Sequence, residues 1–170
     1  MQQHPSSGRA KGALIMALFG SAWLLLACNQ LGELGLPALA AVAAVTLLLL
    51  AGPLKTLRAG ANRPMDADAR RGFLWVNLVQ WLALVVGGNL LSLGGHPQWL
   101  VPFALLVIGL HFLPLARLLR YRPHYLTGAA LVLLALLVPV LAGPASPLAS
   151  LGAGLVLWLS ALGAGAKASA

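Results

Sequence analysis

The sequence predicts an all-α fold, a polytopic membrane protein built as a bundle of six transmembrane helices with both termini in the cytoplasm (N-in/C-in). Three observations support this prediction. The 170-residue chain is 60% hydrophobic and only 8% charged, whereas about 25% of the residues of an average soluble domain are charged. Six apolar runs each approach the roughly 20 residues that cross a bilayer core. All 11 Lys and Arg residues fall on one side of those runs.

The six apolar runs are predicted as helices because backbone N–H and C=O groups in lipid have to be hydrogen-bonded within the chain. We expect the whole chain, 1–170, to form a single integral membrane domain. The second run is short enough to cross the membrane with little tilt. The predicted helices cover 12–30, 36–52, 72–93, 98–116, 125–142 and 148–165.

The distribution of basic residues predicts the orientation. The N-terminal segment, the second and fourth loops and the C-terminal segment hold all 11 Lys and Arg residues, and the other three loops hold none. The positive-inside rule then places both termini in the cytoplasm. The net charge of +8 is explained by topology, so no nucleic-acid partner is predicted. The basic loops are expected to attract anionic lipid head groups.

The chain carries few residues suited to catalysis, and we predict that it is not an enzyme and has no metal or cofactor. It contains no Gly-rich phosphate loop, zinc motif or serine-nucleophile motif, and no acid–base pair lies within the predicted helices. Asp66 and Asp68 are predicted to be solvated in the second loop or to cap the third helix. The single cysteine, Cys28, excludes an internal disulfide and a cysteine metal cluster.

Polar side chains inside the predicted helices are the main candidates for a binding site. Asn77 and His111 each lie six residues from an arginine at a helix end, which is about 9 Å along a helix. Gln80 and Trp81 follow Asn77 by three and four residues and are predicted to share its face. Pro114 follows His111 by three residues, and is expected to kink the helix and free a backbone carbonyl. Together they predict a small polar pocket for a ligand, a proton or an ion.

The same residues also have a structural interpretation. They could hydrogen-bond one another and fix helix packing, at about 0.6 kcal/mol per bond in membranes. His111 is the best single candidate for function, because an imidazole changes charge near neutral pH. As a metal ligand it is weak, since we assign His4, His96 and His124 to the tail or loops, which leaves no second histidine to face it.

A second polar zone is predicted at the outer ends of the helices. Asn29 and Glu33 lie at the end of the first helix, Asn89 lies near the end of the third, and Glu33 is the only acid on that side. These residues predict an outer mouth that admits a cation or a polar solute. Ordinary helix capping and hydration are the alternative.

The start of the chain also resembles a bacterial lipoprotein signal, in which cleavage precedes an acylated cysteine. Arg9 and Lys11 precede an apolar run that ends in Leu-Leu-Ala-Cys28. However, only seven residues separate Cys28 from the next predicted helix, so the expected polar tether is missing.

Small residues recur on two of the predicted helices, as in membrane helix interfaces. Ala13, Ala17 and Ser21 are spaced by four residues, as are Ala149 and Ala153. They predict packing seams within the bundle, with a homodimer seam as the alternative.

One stretch resembles a known group of proteins. Residues Ile108-Gly-Leu-His-Phe-Leu-Pro-Leu-Ala-Arg117, followed by His124-Tyr-Leu-Thr-Gly128, are similar to a family of small uncharacterised bacterial integral-membrane proteins with a His-Phe-x-Pro-Leu-Ala core in the fourth helix. The resemblance implies a bacterial inner-membrane protein. It brings no established activity, so no catalytic residue is carried over.

From these observations we predict a small transporter, channel-like or solute-binding membrane protein with an intramembrane polar site. The alternative is a non-catalytic membrane subunit or scaffold that packs against a partner protein supplying the activity.

Overall fold

The computed structural model describes residues 7–59 and 67–166, so His4, Arg63, Asp66 and Lys167 lie outside it. Within the described residues the chain is helical apart from short turns, and six helices are long and apolar enough to cross a membrane. The predicted all-α class and the number of helices are confirmed. The helices are α1 (Ser7–Gln30), α2 (Leu36–Arg58), α3 (Ala67–Leu93), α4 (Leu100–Leu118), α5 (Pro123–Ala142) and α6 (Pro147–Ala166), with a 3-10 turn (Pro97–Trp99) before α4.

The helices α2 and α3 extend beyond the limits predicted from apolarity alone. The helix α2 continues through Pro53 to end at Arg58, and α3 begins at Ala67 with Asp68 in its first turn. A proline removes one helical hydrogen bond, and neighbouring groups can compensate for that loss in a membrane helix. A basic last turn and an acidic first turn are also favourable at those helix ends. Polar residues therefore extend helices that hydropathy would end.

The chain divides into two compact units, the first of which contains α1, α2 and the part of α6 from Gly154 onward. Glycine allows α1 and α6 to approach closely in this unit. A Cβ atom added to Gly20 would lie 3.0 Å from the Gly154 carbonyl oxygen, and one added to Gly154 would lie 2.9 Å from the Gly20 carbonyl oxygen. The two backbones therefore touch where neither has a side chain.

Three polar side chains form a hydrogen-bonded cluster beside this crossing. The hydroxyl oxygens of Ser21 in α1 and Thr46 in α2 lie 2.6 Å apart. Trp158 in α6 donates its indole N–H toward Ser21 Oγ at 3.2 Å and the Ala17 carbonyl oxygen at 3.3 Å. Side chains of α2 and α6 thus both reach α1 through Ser21.

The second unit contains α3, α4, α5 and α6 as far as Ala153. Here α4 and α5 cross at a second glycine pair, Gly109 and Gly128. At one end of the unit, a Cβ atom added to Gly72 in α3 would lie 3.0 Å from a methyl carbon of Leu118 in α4. The start of α3 and the end of α4 are therefore side by side, as expected for an antiparallel helix pair.

The small-residue seams predicted from the sequence are buried. Ala13 and Ala17 are fully covered and Ser21 is nearly so, and Ala149 and Ala153 are buried in α6. The prediction of packing seams within the chain is confirmed for these residues.

Candidate functional site

A groove runs along the second unit between α3 and α4. Its volume is about 420 Å³, within the range of small-molecule sites. Seven of its nine lining residues are apolar, and Gln80 and His111 are the two polar ones. The lining consists of Trp75, Val76, Val79, Gln80 and Ala83 from α3 with Val107, Leu110, His111 and Pro114 from α4.

The groove is formed by one face of each helix. Trp75, Val79 and Ala83 recur every four residues on α3, and such positions share a helix face. No residue is buried in the most apolar window of the α3 span, and Trp75 itself is 62% exposed. The groove is therefore open along its α3 wall.

His111 is the polar residue of the α4 wall. It is half-buried, and its imidazole interacts with the backbone of Val76 across the groove. Its Nδ1 atom is buried and has no hydrogen-bond partner among the described residues. A buried ring nitrogen in this state is unfavourable.

Pro114 lies inside α4, which continues past it to Leu118. Because proline has no N–H, it cannot bond the carbonyl of Leu110, four residues earlier. Both Leu110 and Pro114 line the groove. The predicted free carbonyl therefore belongs to a residue of the groove wall, close to His111 in sequence.

Gln80 supplies the polar group of the α3 wall, but Asn77 and Trp81 are absent from the lining of the groove. At 3.6 residues per turn, the lining residues of α3 span an arc of about 140° that ends at Gln80, and Asn77 and Trp81 lie about 60° and about 100° beyond that end. The Asn77 side chain instead donates to the carbonyl oxygen of Phe73 at 2.8 Å, and Trp81 is exposed.

The prediction that His124 lies in a loop is wrong. It is the second residue of α5 and only 6% exposed. Its ring centroid lies 5.3 Å from that of Phe112 and 4.8 Å from that of Tyr121. A second histidine thus lies near His111, and the two interact electrostatically, with Phe112 in contact with both rings.

Two features of the sequence could have placed His124 correctly. Proline is favoured at the first position of a helix, which indicates that α5 begins at Pro123. The next residues at spacings of three and four are small or apolar and form one buried stripe. The stripe consists of His124, Thr127, Gly128, Leu131 and Ala135. Within the described residues, no group of three or more His, Cys, Asp or Glu side chains is arranged to hold a metal ion.

The residues of the predicted outer mouth lie in different units, Asn29 and Glu33 in the first and Asn89 in the second. All three are exposed. Asn89 donates to the carbonyl oxygen of Val85 at 2.7 Å, and the backbone N–H of Glu33 donates to the carbonyl oxygen of Cys28 at 2.9 Å. None of these residues lines the groove.

The six spans define the class as a multi-pass α-helical membrane protein, and the groove between α3 and α4 is its candidate site. No protein-family model, curated protein or solved structure matches the chain.

Proposed function

We propose that the protein is a small-solute-binding membrane protein of the transporter class, which takes a mostly apolar molecule with one polar group into the groove between α3 and α4. The observation that carries this proposal is the pair of polar residues, Gln80 and His111, on otherwise apolar walls. Ligand sites commonly combine apolar walls with a few well-placed polar groups.

The chemistry of the walls favours a neutral solute over a bare ion. Moving a charge into apolar surroundings is strongly unfavourable unless it is paired, and no carboxylate lines the groove. The imidazole of His111 and the amide of Gln80 both line the groove, and each can donate or accept a hydrogen bond. A hydroxyl group matches both residues, so we propose that the part of the ligand between these walls is apolar and carries one neutral polar group, of which a hydroxyl is the simplest.

Tryptophan fluorescence tests the proposal, because Trp75 lines the groove. The probe is ω-bromoundecanol, a neutral alcohol whose bromine quenches indole emission, added to protein in phosphatidylcholine vesicles. The signal of Trp75 is the difference in quenching between the wild type and Trp75→Phe. We expect saturable quenching, in contrast to the linear rise expected from general partition into the bilayer.

Three variants test whether the quenching arises in the groove. Ala83→Phe fills the groove and should abolish the saturable component, whereas Ala129→Phe, at an exposed position of α5, should leave it unchanged. His111→Phe keeps an aromatic ring but removes both ring nitrogens, and should weaken affinity about tenfold, equivalent to one hydrogen bond. Equal, non-saturable quenching in all variants would contradict the proposal.

A second function is favoured by one observation. The α3 span has no buried residue in its most apolar window, so its exposed face could pack against a helix of a partner protein or of a second copy. In that case the protein acts as a non-catalytic subunit or scaffold. Native mass spectrometry of the detergent-solubilised protein tests this alternative, which requires a stoichiometric complex that Val79→Trp disrupts.

We also propose that the protein resides in a bacterial inner membrane with both termini in the cytoplasm. The membrane assignment follows from the resemblance around His111, and the orientation follows from the basic residues of the second and fourth loops. Among the described residues, those at the ends of α2, α3 and α4 are Lys55, Arg58, Arg70, Arg71 and Arg117.

A further inference from the structure

Two arginines extend the walls of the groove at one end. Arg71 precedes Trp75 by four residues and continues the stripe of α3 that includes Val79 and Ala83. Arg117 follows Pro114 by three residues on α4. Because residues three or four apart share a helix face, each arginine lies one turn beyond the groove on the face that lines it. Both are exposed.

The two arginines lie at the same end of the helix pair. Arg71 adjoins Gly72 and Arg117 adjoins Leu118 in the chain, and an added Cβ atom on Gly72 would lie 3.0 Å from a methyl carbon of Leu118. The start of α3 and the end of α4 are therefore in contact next to the two arginines. Each wall of the groove therefore carries an arginine at this end.

This end of the unit has a large excess of positive charge. Arg70, Arg120 and Arg122 lie beside the two flanking arginines, and all three are exposed. Against these five arginines, Asp68 is the only acidic residue among the described residues of the unit. The excess is complementary to an anionic group, and arginine pairs with phosphate through two parallel hydrogen bonds.

The dimensions of the groove match one leaflet of a bilayer. From Trp75 to Ala83 it extends about 12 Å along α3, close to half of a hydrocarbon core of about 30 Å. The arginines lie one helical turn beyond the groove, about 5 Å further along each helix. A lipid with its head group at the arginines would lay one chain along the apolar walls.

We propose that the ligand of this groove is an anionic lipid, whose phosphate is bound by Arg71 and Arg117 and whose chain lies between α3 and α4. This inference rests on the proposed function, because it names the class of ligand that the same groove takes. It differs from general attraction of basic loops to a membrane, since it requires a saturable site and two particular arginines.

The test compares two probes with the same chain, ω-bromoundecanol and ω-bromoundecyl phosphate, at equal mole fractions in phosphatidylcholine vesicles. Quenching of Trp75 is again the difference between the wild type and Trp75→Phe. We expect the phosphate probe to bind about tenfold more tightly, since charge-assisted hydrogen bonds are roughly twice as strong as neutral ones. The double variant Arg71→Gln/Arg117→Gln should reduce that ratio to near one.

Matched variants distinguish loss of the phosphate site from loss of overall positive charge and from misfolding. Arg58→Gln removes an exposed arginine at the end of α2, outside the unit, and should leave the preference unchanged. Arg71→Lys keeps the charge but loses the paired hydrogen bonds, and should retain part of the preference. The neutral probe must still bind saturably to the double variant, which shows that its groove is intact.

The outcomes distinguish the inference from the proposed function. Saturable binding of both probes with equal affinity would overturn the anionic lipid and leave the neutral solute. Absence of saturable binding by either probe would overturn both proposals. If inorganic phosphate displaces the phosphate probe at equal concentration, the arginines bind a free phosphate and the lipid is contradicted. Resistance to inorganic phosphate supports the lipid.

Discussion

Gly109 of α4 and Gly128 of α5 lie directly against each other. A Cβ atom on Gly109 would lie 2.9 Å from the Gly128 carbonyl oxygen, and one on Gly128 would lie 2.7 Å from the Gly109 carbonyl oxygen. Both obstacles are backbone atoms, which cannot move aside as a side chain can. This contact holds α4 in place two residues before His111, so the groove depends on it.

We predict that Gly128→Ala destabilises the protein. The added methyl group would overlap the backbone of α4, and overpacking of this kind costs about 1–3 kcal/mol. The measurement is the free energy of unfolding in detergent micelles. The control is Gly163→Ala in α6, where an added Cβ atom meets nothing within 4 Å, and where alanine should be neutral or stabilising. Equal effects of the two substitutions would contradict the contact.

The bond between Ser21 and Thr46 leads to a second stability prediction. Thr46 and Thr56 both donate to a carbonyl of their own helix, but only Thr46 also contacts a hydroxyl of another helix, at 2.6 Å. Thr46→Val should cost about 0.6 kcal/mol more than Thr56→Val, the average for interhelical hydrogen bonds in membranes. If unfolding in micelles gives the reverse order, the bond does not stabilise the protein.

The sequence predicts the six helices well because each needs only a sufficiently long apolar run. It predicts less about how each helix is rotated about its axis. A membrane helix is apolar on most of its surface, so the usual amphipathic pattern is weak. Gln80 and His111 line the groove as expected, but Asn77 and Trp81 do not, since the face of α3 toward α4 depends on packing between the two helices.

The position of His124 illustrates a different difficulty. A polar residue near arginines suggests a loop, and hydropathy alone places it there. The helix begins with Pro123, and His124 packs against the rings of Phe112 and Tyr121. Phe112 belongs to α4, and a single sequence does not identify it as a neighbour of His124.

The backbone conformation of Arg120 leads to a third stability prediction. Arg120 is the one described residue other than glycine with a positive φ, 49°, and it follows the end of α4, where glycine is usual. Arg120→Gly should raise the free energy of unfolding by about 1 kcal/mol, since the left-handed conformation is unfavourable for other residues. Arg120→Val should lower it, because β-branched residues fit this conformation worst. Equal unfolding free energies for the two variants would contradict this account.

The orientation can be tested by cysteine labelling in intact cells. In a Cys28→Ser background, a cysteine at exposed Ala59, after α2, should react with a membrane-impermeant maleimide only once the cells are permeabilised. A cysteine at exposed His96, between α3 and α4, should react in intact cells. The positive-inside distribution predicts this result, and the opposite labelling would show that the chain is inverted.

The central claim is that the groove binds its ligand at His111. It is tested most directly by the NMR resonances of ¹⁵N-labelled histidine rings in the full-length protein, with the His111 signals assigned through His111→Phe. Addition of undecanol should shift the ring nitrogen signals of His111, with saturation, and leave those of exposed His96 unchanged. If the His111 signals do not shift as undecanol partitions into the bilayer, the claim is contradicted.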